Sequence, residues 1–244
     1  DAGRWQAQRL AGALADERFD AVYASDLQRT ADTARAVAEH NGLALCTETT
    51  LRERGFGKFE GLTWAEVEQH HPESSRRWRE RDAAFGPPGG ETLGAFYARA
   101  VGALAAIAAR HRGQHILIVT HGGVLDALYR AASRIALDAP RTWQLGNASI
   151  NRVLHGEQGF TMVGWNDSLH LHLDAAGPAL ERVIAAIAAD CVRQCVAAQP
   201  VAGAGAIRAG VCRRGQRRAS AGRHPPPHVR VVRAVHRHPD RAFR

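Results

Sequence analysis

Hydrophobic positions recur along this chain in alternating helical and strand patterns. The spacing of Trp5, Ala7, Leu10 and Leu14 predicts a helix over residues 4–17. Apolar runs at 21–25 and within 43–51 predict strands, with a helix between them that ends near Gly42. A long helix is predicted over 92–111, a strand over 115–120 and a helix over 123–132.

The later part of this region predicts a β-hairpin. "ASINRVLH" and "FTMVGW" flank "GEQG". Between the second strand and the long helix, Thr63 and Glu66 have the spacing of a capping box, which predicts a short helix that Pro72 ends. Strands that alternate with long helices favour right-handed crossovers. The sequence therefore predicts an α/β fold with a doubly wound, mostly parallel sheet and a hairpin at one edge.

The pattern changes beyond residue 173. Residues 174–198 could form one more amphipathic helix, and residues 199–244 are rich in Arg, Pro and Gly with little apolar content, which predicts a disordered tail. Residues 175–244 hold 13 Arg, no Lys and three acidic residues, a net charge of +10. Because the whole chain carries +8, residues 1–174 carry −2, and the basic character belongs to the tail.

Composition narrows the class of protein. No stretch of 18 consecutive apolar residues occurs, so no membrane partner is predicted. The four cysteines form no CxxC pair and no disulfide framework, which favours a reducing compartment, the cytoplasm. A nucleic-acid partner for the tail is not expected, because no aromatic residues interleave its arginines to stack on bases. The sequence leaves the oligomeric state open.

Three polar features follow predicted strands, where ligands bind in parallel sheets. His121 comes directly after a strand and before Gly122 and Gly123, which open a helix. Glycines allow a ligand close to the backbone, and a helix N-terminus attracts anions. These features predict a phosphate site; the alternative is a histidine that forms an ordinary hydrogen bond at a strand end.

Arg29 and Glu53 could complete such a site. Arg29 lies in the first turn of a predicted helix, so its side chain leans back toward the strand end, where its guanidinium suits a phosphate. The alternative is a surface pair with Asp26 or Asp32. Glu53 lies in the Gly-punctuated loop 52–62 and could donate a proton to a leaving alkoxide.

Two alternatives stay open for the role of Glu53, and a metal site is also considered. Glu53 could simply bind Arg52 or Arg54, and Glu60 is a rival for the acid role. Histidine pairs are present, but none has a carboxylate at ligand spacing. We therefore expect no metal and no other cofactor.

Five blocks in order resemble the histidine phosphatase superfamily, also called phosphoglycerate mutase-like, over residues 1–172. They are "SDLQRTADTA", "LRERGFGKFEGLTWAEV", "PPGGETLGAFYARAV", "ILIVTHGGVLDAL" and "GNASINRVLH…VGWND". The resemblance implies a doubly wound α/β sheet and a histidine nucleophile that becomes phosphorylated. It assigns phosphate binding to Arg29 and His121, leaving-group protonation to Glu53, and the rim of the site to Glu91 and Thr92. The spacing of the blocks is more typical of the phosphatase branch acting on small phosphorylated metabolites than of phosphoglycerate mutase.

The family's nucleophile lies in an Arg-His-Gly motif after the first strand, and this chain contains no such tripeptide. The chain begins at Asp1 and enters a helical pattern almost at once, so we expect that the first, central strand is missing and that its neighbours are left with unpaired edges. The prediction is a phosphomonoester hydrolase of the phosphohistidine type that does not turn over as this chain. Phosphoglycerate mutase and a non-catalytic phosphate-binding module are the alternatives.

Overall fold

A computed structural model of the chain describes residues 2–172 and the backbone of residues 228–233. Within these ranges the α-helices are α1 (Ala2–Ala13), α2 (Gln28–His40), α3 (Trp64–His70), α4 (Pro72–Arg79), α5 (Leu93–Arg110) and α6 (Gly122–Ser133). The strands are β1 (Ala21–Ala24), β2 (Leu45–Thr47), β3 (His115–Thr120), β4 (Ile150–Gly156), β5 (Gly159–Asp167) and β6 (His228–Arg233).

These strands form one sheet in the order β2-β1-β3-β6-β4-β5. β2, β1, β3 and β6 run parallel to one another, whereas β4 is antiparallel to both β6 and β5. The α/β fold with a mostly parallel sheet is confirmed, and the β4–β5 hairpin lies at one edge as predicted. The predicted helix over 174–198 lies outside the described residues.

β6 departs from the expectation of a disordered tail. It lies within 199–244, yet it pairs in parallel with β3, Ile116 opposite Val229, and antiparallel with β4, Ile150 opposite Val232. The expected unpaired edges of β3 and β4 are therefore both covered by chain from the C-terminal part of the sequence. The reason is physical: a strand that has hydrogen-bonding neighbours on both sides satisfies its own backbone and theirs.

Helices cover both faces of the sheet. Along β3, Ile116 and Ile118 pack in a core cluster with α5 and α6, whereas Leu117 and Val119 pack in a second cluster with α1 and α2. All four side chains are fully buried. Successive side chains of a strand point to opposite faces, so an unbroken apolar run here indicates a strand buried on both sides.

Two helix termini bear on the predictions. The capping box is present, with the Thr63 hydroxyl and the Glu66 carboxylate each bound to the other's backbone N–H. α3 ends at His70, just before Pro72 as predicted, and Pro72 then begins α4 as its first residue. Proline lacks the N–H that a first helical residue leaves unused, so its place at the start of α4 costs nothing.

α5 combines length with apolar composition. Its 18 residues, Leu93–Arg110, are enough by length and hydropathy to cross a membrane. Its buried residues nevertheless pack in the core beside α6: Phe96, Ala100, Leu104, Ile107 and Ala108. This is the pattern of a core helix.

Candidate phosphate-binding site

The site lies where β1 and β3 end side by side. Ala24 is the register partner of Val119, and the Ser25 N–H donates to the Val119 carbonyl at 3.3 Å. Ser25 and His121, which follow these strands, therefore meet at the same edge of the sheet. Carboxyl ends of parallel strands are where open α/β sheets bind ligands.

His121 is the residue before α6 and is only 2% exposed. Its Nε2 lies 2.7 Å from Ser25 Oγ. The histidine thus forms the strand-end hydrogen bond that the sequence left open as an alternative. The same ring also stands at the N-terminus of a 12-residue helix, whose first N–H groups attract anions.

Arg29 lies in the first turn of α2 and reaches into this region. Burial lowers the pKa of Arg29, and the negative charge of Glu53 opposes that shift, so the two side chains are electrostatically coupled. The buried Nε atom of Arg29 has no hydrogen-bond partner in the described part of the chain. A buried guanidinium donor without an acceptor is suited to an anionic ligand.

The alternative pairings of Arg29 are not what the structure shows. Asp26 is paired with Arg52, whose Nε donates to Asp26 Oδ1 at 2.7 Å. Asp32 is paired with Arg35 at 2.8 Å. Hydrogen bonds from Arg52 lower the pKa of Asp26, and the nearby His121 contributes in the same direction.

Glu53 is bound at the start of α6. Its Oε2 accepts from the Gly123 N–H at 2.9 Å, and its Oε1 accepts from the Arg54 backbone N–H at the same distance. The side chains of Arg52 and Arg54 bind elsewhere, so Glu53 is not held by a salt bridge to either. The rival Glu60 is exposed and accepts from the Phe56 N–H within its own turn.

Gly123 has a structural reason of its own. A Cβ at this position would overlap the Glu53 carboxyl group and lie 3.1 Å from the Phe96 ring. The glycine therefore gives Glu53 access to the backbone of α6. The sequence analysis expected both glycines to clear the approach of a ligand, but at Gly123 the space is filled by Glu53. Gly122 is the first residue of α6.

Arg99 supports the site and was not found by sequence reasoning. From α5, it donates to the carbonyls of Thr50, Arg52 and Glu53 at 2.8, 3.0 and 3.3 Å. It also binds both carboxylate oxygens of Glu91, at 2.9 and 2.7 Å. Arg99 thereby fixes the backbone that carries Glu53. Backbone carbonyls occur at every residue, so no sequence signal could have paired them with Arg99.

Arg54 connects the same loop to the segment before α5. It donates to the carbonyls of Glu91 and Phe85 at 2.9 and 2.8 Å, and its guanidinium lies 4.3 Å from the centre of the Trp78 ring. Burial, opposed by the charge of Glu91, lowers the pKa of Arg54 to about 10. Arg54 therefore remains charged at neutral pH.

No group of three or more His, Cys, Asp or Glu side chains among residues 2–172 is arranged to hold a metal ion. Arg29 is electrostatically coupled to Glu53, and Glu53 is bound to the N-terminus of α6, which His121 precedes. The arrangement can bind a tetrahedral anion and place a carboxyl group beside it.

Comparison with known proteins shows the family of the chain. Residues 1–168 match the family model of the histidine phosphatase superfamily (branch 1), so β6 lies outside the matched region. "Phosphoglycerate mutase-like protein 4" of Arabidopsis thaliana is 38% identical over 176 residues, covering 70% of this chain and 75% of that protein. "Metal-independent phosphoserine phosphatase" of the same plant is 36% identical over 177 residues, covering 70% and 71%.

Solved structures agree with the sequence relatives. The mycobacterial glucosyl-3-phosphoglycerate phosphatase is 30% identical, with a TM-score of 0.61, covering 69% of this chain and 86% of that one. Its complex with inorganic phosphate matches with a TM-score of 0.60, also at 30% identity, over 69% and 87%. The sequence blocks, the sheet and these matches together establish that the chain belongs to the histidine phosphatase superfamily and is of the phosphatase kind.

Proposed function

We propose that the site at the ends of β1 and β3 binds the phosphoryl group of a small phosphorylated metabolite in the cytoplasm. Arg29 and His121 are the donors, together with the Gly122 N–H at the start of α6. Glu53 is the acid that protonates the leaving oxygen. The observation that carries this proposal is the buried Nε of Arg29, which has no partner among the residues that the structure describes, together with a coupled carboxyl group that is bound to a helix N-terminus.

The reaction class that we propose for a complete site is phosphomonoester hydrolysis through a phosphohistidine. An imidazole nitrogen attacks phosphorus, the P–O ester bond breaks, and the leaving oxygen takes a proton from Glu53. Water then attacks phosphorus and gives a proton to the Glu53 carboxylate, and the P–N bond breaks, which releases phosphate and the imidazole. Positive charge on Arg29 and at the start of α6 stabilises the transferring phosphoryl group in both steps.

This chain contains no Arg-His-Gly tripeptide to supply the nucleophile. We therefore propose that the chain by itself binds phosphate but does not turn over a phosphomonoester. A non-catalytic phosphate-binding module is the second candidate function, and the missing tripeptide favours it. Phosphoglycerate mutase is not favoured, although one relative has a mutase-like name, because other relatives are named as phosphatases.

Titration with inorganic phosphate, followed by calorimetry, tests binding. Arg29→Met should weaken phosphate binding by roughly tenfold or more, because a charge-assisted hydrogen bond is lost. Arg35→Met is the matched control, since Arg35 lies on the same helix but is exposed and paired with Asp32. Equal affinities of the two variants, or no binding by the unaltered chain at millimolar phosphate, would contradict the proposal.

Turnover is tested separately with p-nitrophenyl phosphate. We expect no release of nitrophenol above the background rate. Robust turnover that is abolished in His121→Ala would show that the chain supplies its own nucleophile, and would leave the phosphatase assignment standing while removing the proposal of inactivity.

A further inference from the structure

Three buried polar side chains form a hydrogen-bonded chain behind the site. His121 Nε2 lies 2.7 Å from Ser25 Oγ, which in turn lies 2.7 Å from Thr30 Oγ1. Ser25 and Thr30 are completely buried, and His121 is 2% exposed. Buried hydroxyl groups at these distances are hydrogen-bonded, so each proton in this chain has a definite direction.

The direction is fixed at the Thr30 end. Thr30 Oγ1 lies 2.6 Å from the Leu27 carbonyl oxygen and 3.0 Å from the Ser25 carbonyl oxygen. Carbonyl oxygens only accept, and a threonine hydroxyl has a single proton. Thr30 must therefore donate to these carbonyls, and toward Ser25 Oγ it can only accept.

The same reasoning gives the donor in the hydrogen bond between Ser25 and His121. Ser25 donates its one proton to Thr30, so its oxygen accepts from its other neighbours. One of these is the Leu27 N–H at 3.4 Å. The other is His121 Nε2, which must carry a proton if it is to be a partner at 2.7 Å. Ser25 then makes one donated and two accepted hydrogen bonds, the full capacity of a hydroxyl group.

We propose that Ser25 and Thr30 are positioning residues that keep a proton on Nε2 of His121. The ring then presents an N–H donor at the β1–α2 junction, which is also where Arg29 enters the site. An incoming phosphoryl oxygen accepts this N–H in place of Ser25. With the proton on the other nitrogen, the lone pair of Nε2 would face the anion and repel it. That this N–H donates to a phosphoryl oxygen rests on the proposed phosphate site. That the proton is on Nε2 rests only on the hydrogen bonds of Ser25 and Thr30.

Nitrogen-15 NMR of the full chain reads this placement directly, because protonated and unprotonated ring nitrogens differ in chemical shift. At a pH where the His121 ring is neutral, we expect the Nε2–H form. Thr30→Val should release the Ser25 proton to donate to Nε2 and so reverse the preference to the Nδ1–H form. Thr33→Val is the matched control, since Thr33 is a buried residue of α2 whose hydroxyl donates to the Arg29 carbonyl. It should leave the His121 signals unchanged.

A second pair of variants protects the test against misfolding of Thr30→Val. Ser25→Ala removes the acceptor, so the preference for Nε2–H should be lost and both forms should be seen. Ser75→Ala, which alters a fully buried serine of α4, should change nothing. An unprotonated Nε2 in the unaltered chain, or spectra of Thr30→Val or Ser25→Ala identical to those of their controls, would overturn the proposal.

Phosphate affinity separates this inference from the proposed function. Thr30→Val should weaken phosphate binding by roughly tenfold, whereas Thr33→Val should not. If the NMR preference follows the expected pattern while the unaltered chain binds no phosphate, the proton placement is supported and the phosphate site is what fails.

Discussion

Arg29 shows at the residue scale how a ligand site costs stability. Its guanidinium is partly removed from water, and its buried Nε has no partner in the described part of the chain. A buried donor without an acceptor is unfavourable, and a fold that selected only for stability would place an apolar side chain there. The cost is understandable if an anion completes the hydrogen bonds when it binds.

We therefore expect Arg29→Met to leave the free energy of unfolding unchanged or to raise it by up to about 2 kcal/mol, because a partly buried guanidinium, whose Nε has no partner among the described residues, is replaced by an apolar side chain of similar length. The same variant should bind phosphate poorly. Urea unfolding, with Arg35→Met as the exposed control, measures the change. Arg35→Met should stay within about 0.5 kcal/mol of the unaltered chain. A clear loss of stability in Arg29→Met alone would mean that Arg29 has a structural role instead.

The sequence predicts the positions of the three proposed site residues more readily than the contacts that surround them. His121, Arg29 and Glu53 each follow a strand or begin a helix, and that placement can be read from hydrophobic patterns. The structure brings them to one edge of the sheet, but their catalytic roles remain a proposal. The Ser25–Thr30 pair and Arg99 act through carbonyl oxygens and proton direction, which depend on backbone positions that residue types do not encode.

At the scale of the helix, two glycines differ in what a substitution by alanine would do. Gly123 is near the start of α6, and a side chain there would displace Glu53. Gly102 is in the interior of α5, and a Cβ there would meet nothing within 4 Å. Alanine is favoured over glycine in both helices by propensity, so only the contact with Glu53 distinguishes the two sites.

Gly102→Ala should accordingly raise the free energy of unfolding by roughly 0.5–1 kcal/mol, because it reduces the conformational freedom of the unfolded chain. Gly123→Ala should lower it by about 1–2 kcal/mol, because the Glu53 carboxyl group must leave the Gly123 N–H and loses a charge-assisted hydrogen bond. Thermal and urea unfolding of both variants measure the difference in sign. Stabilisation by Gly123→Ala as well would show that Glu53 is not held where the structure places it.

Element boundaries show where pattern reasoning stops. The capping box was predicted correctly because its two side chains bind neighbouring backbone and need no distant contact. α3 ends before Pro72 as predicted, but the pattern did not predict that Pro72 also begins α4, although proline is favoured in the first turn of a helix. Whether a second helix follows the proline depends on the tertiary setting: α3 and α4 pack around the small cluster of Phe59, Val67 and Phe85.

At the scale of the whole molecule, β6 is a strand in a region whose composition predicts disorder. The residues around it are rich in Arg and Pro, and this suggested disorder. The stretch "HVRVVR" nevertheless contains three valines, which favour strands. An isolated six-residue strand is not stable in water, so its formation depends on the edges that β3 and β4 offer. The closure cost of the intervening chain grows only slowly with its length, so a long separation does not prevent this pairing.

The place of β6 makes a prediction that separates a structural strand from a dispensable tail. Val231 pairs with Ile118 on one side and with Asn151 on the other. Val231→Pro removes a backbone N–H from the interior of the sheet and should lower the free energy of unfolding by roughly 2 kcal/mol or more. Val231→Thr keeps the N–H and a β-branched side chain, so it should have a much smaller effect.

Amide hydrogen exchange of the two Val231 variants locates the effect. The loss of protection in Val231→Pro should be greatest in β3 and β4, the strands that β6 joins, and smaller in β2, which is separated from β6 by β1 and β3. If Val231→Pro and Val231→Thr unfold at the same urea concentration and protect β3 and β4 equally, β6 does not complete the sheet in solution. The facing edges of β3 and β4 would then be open to another strand, because unpaired N–H and C=O groups in the middle of a sheet are a template for pairing.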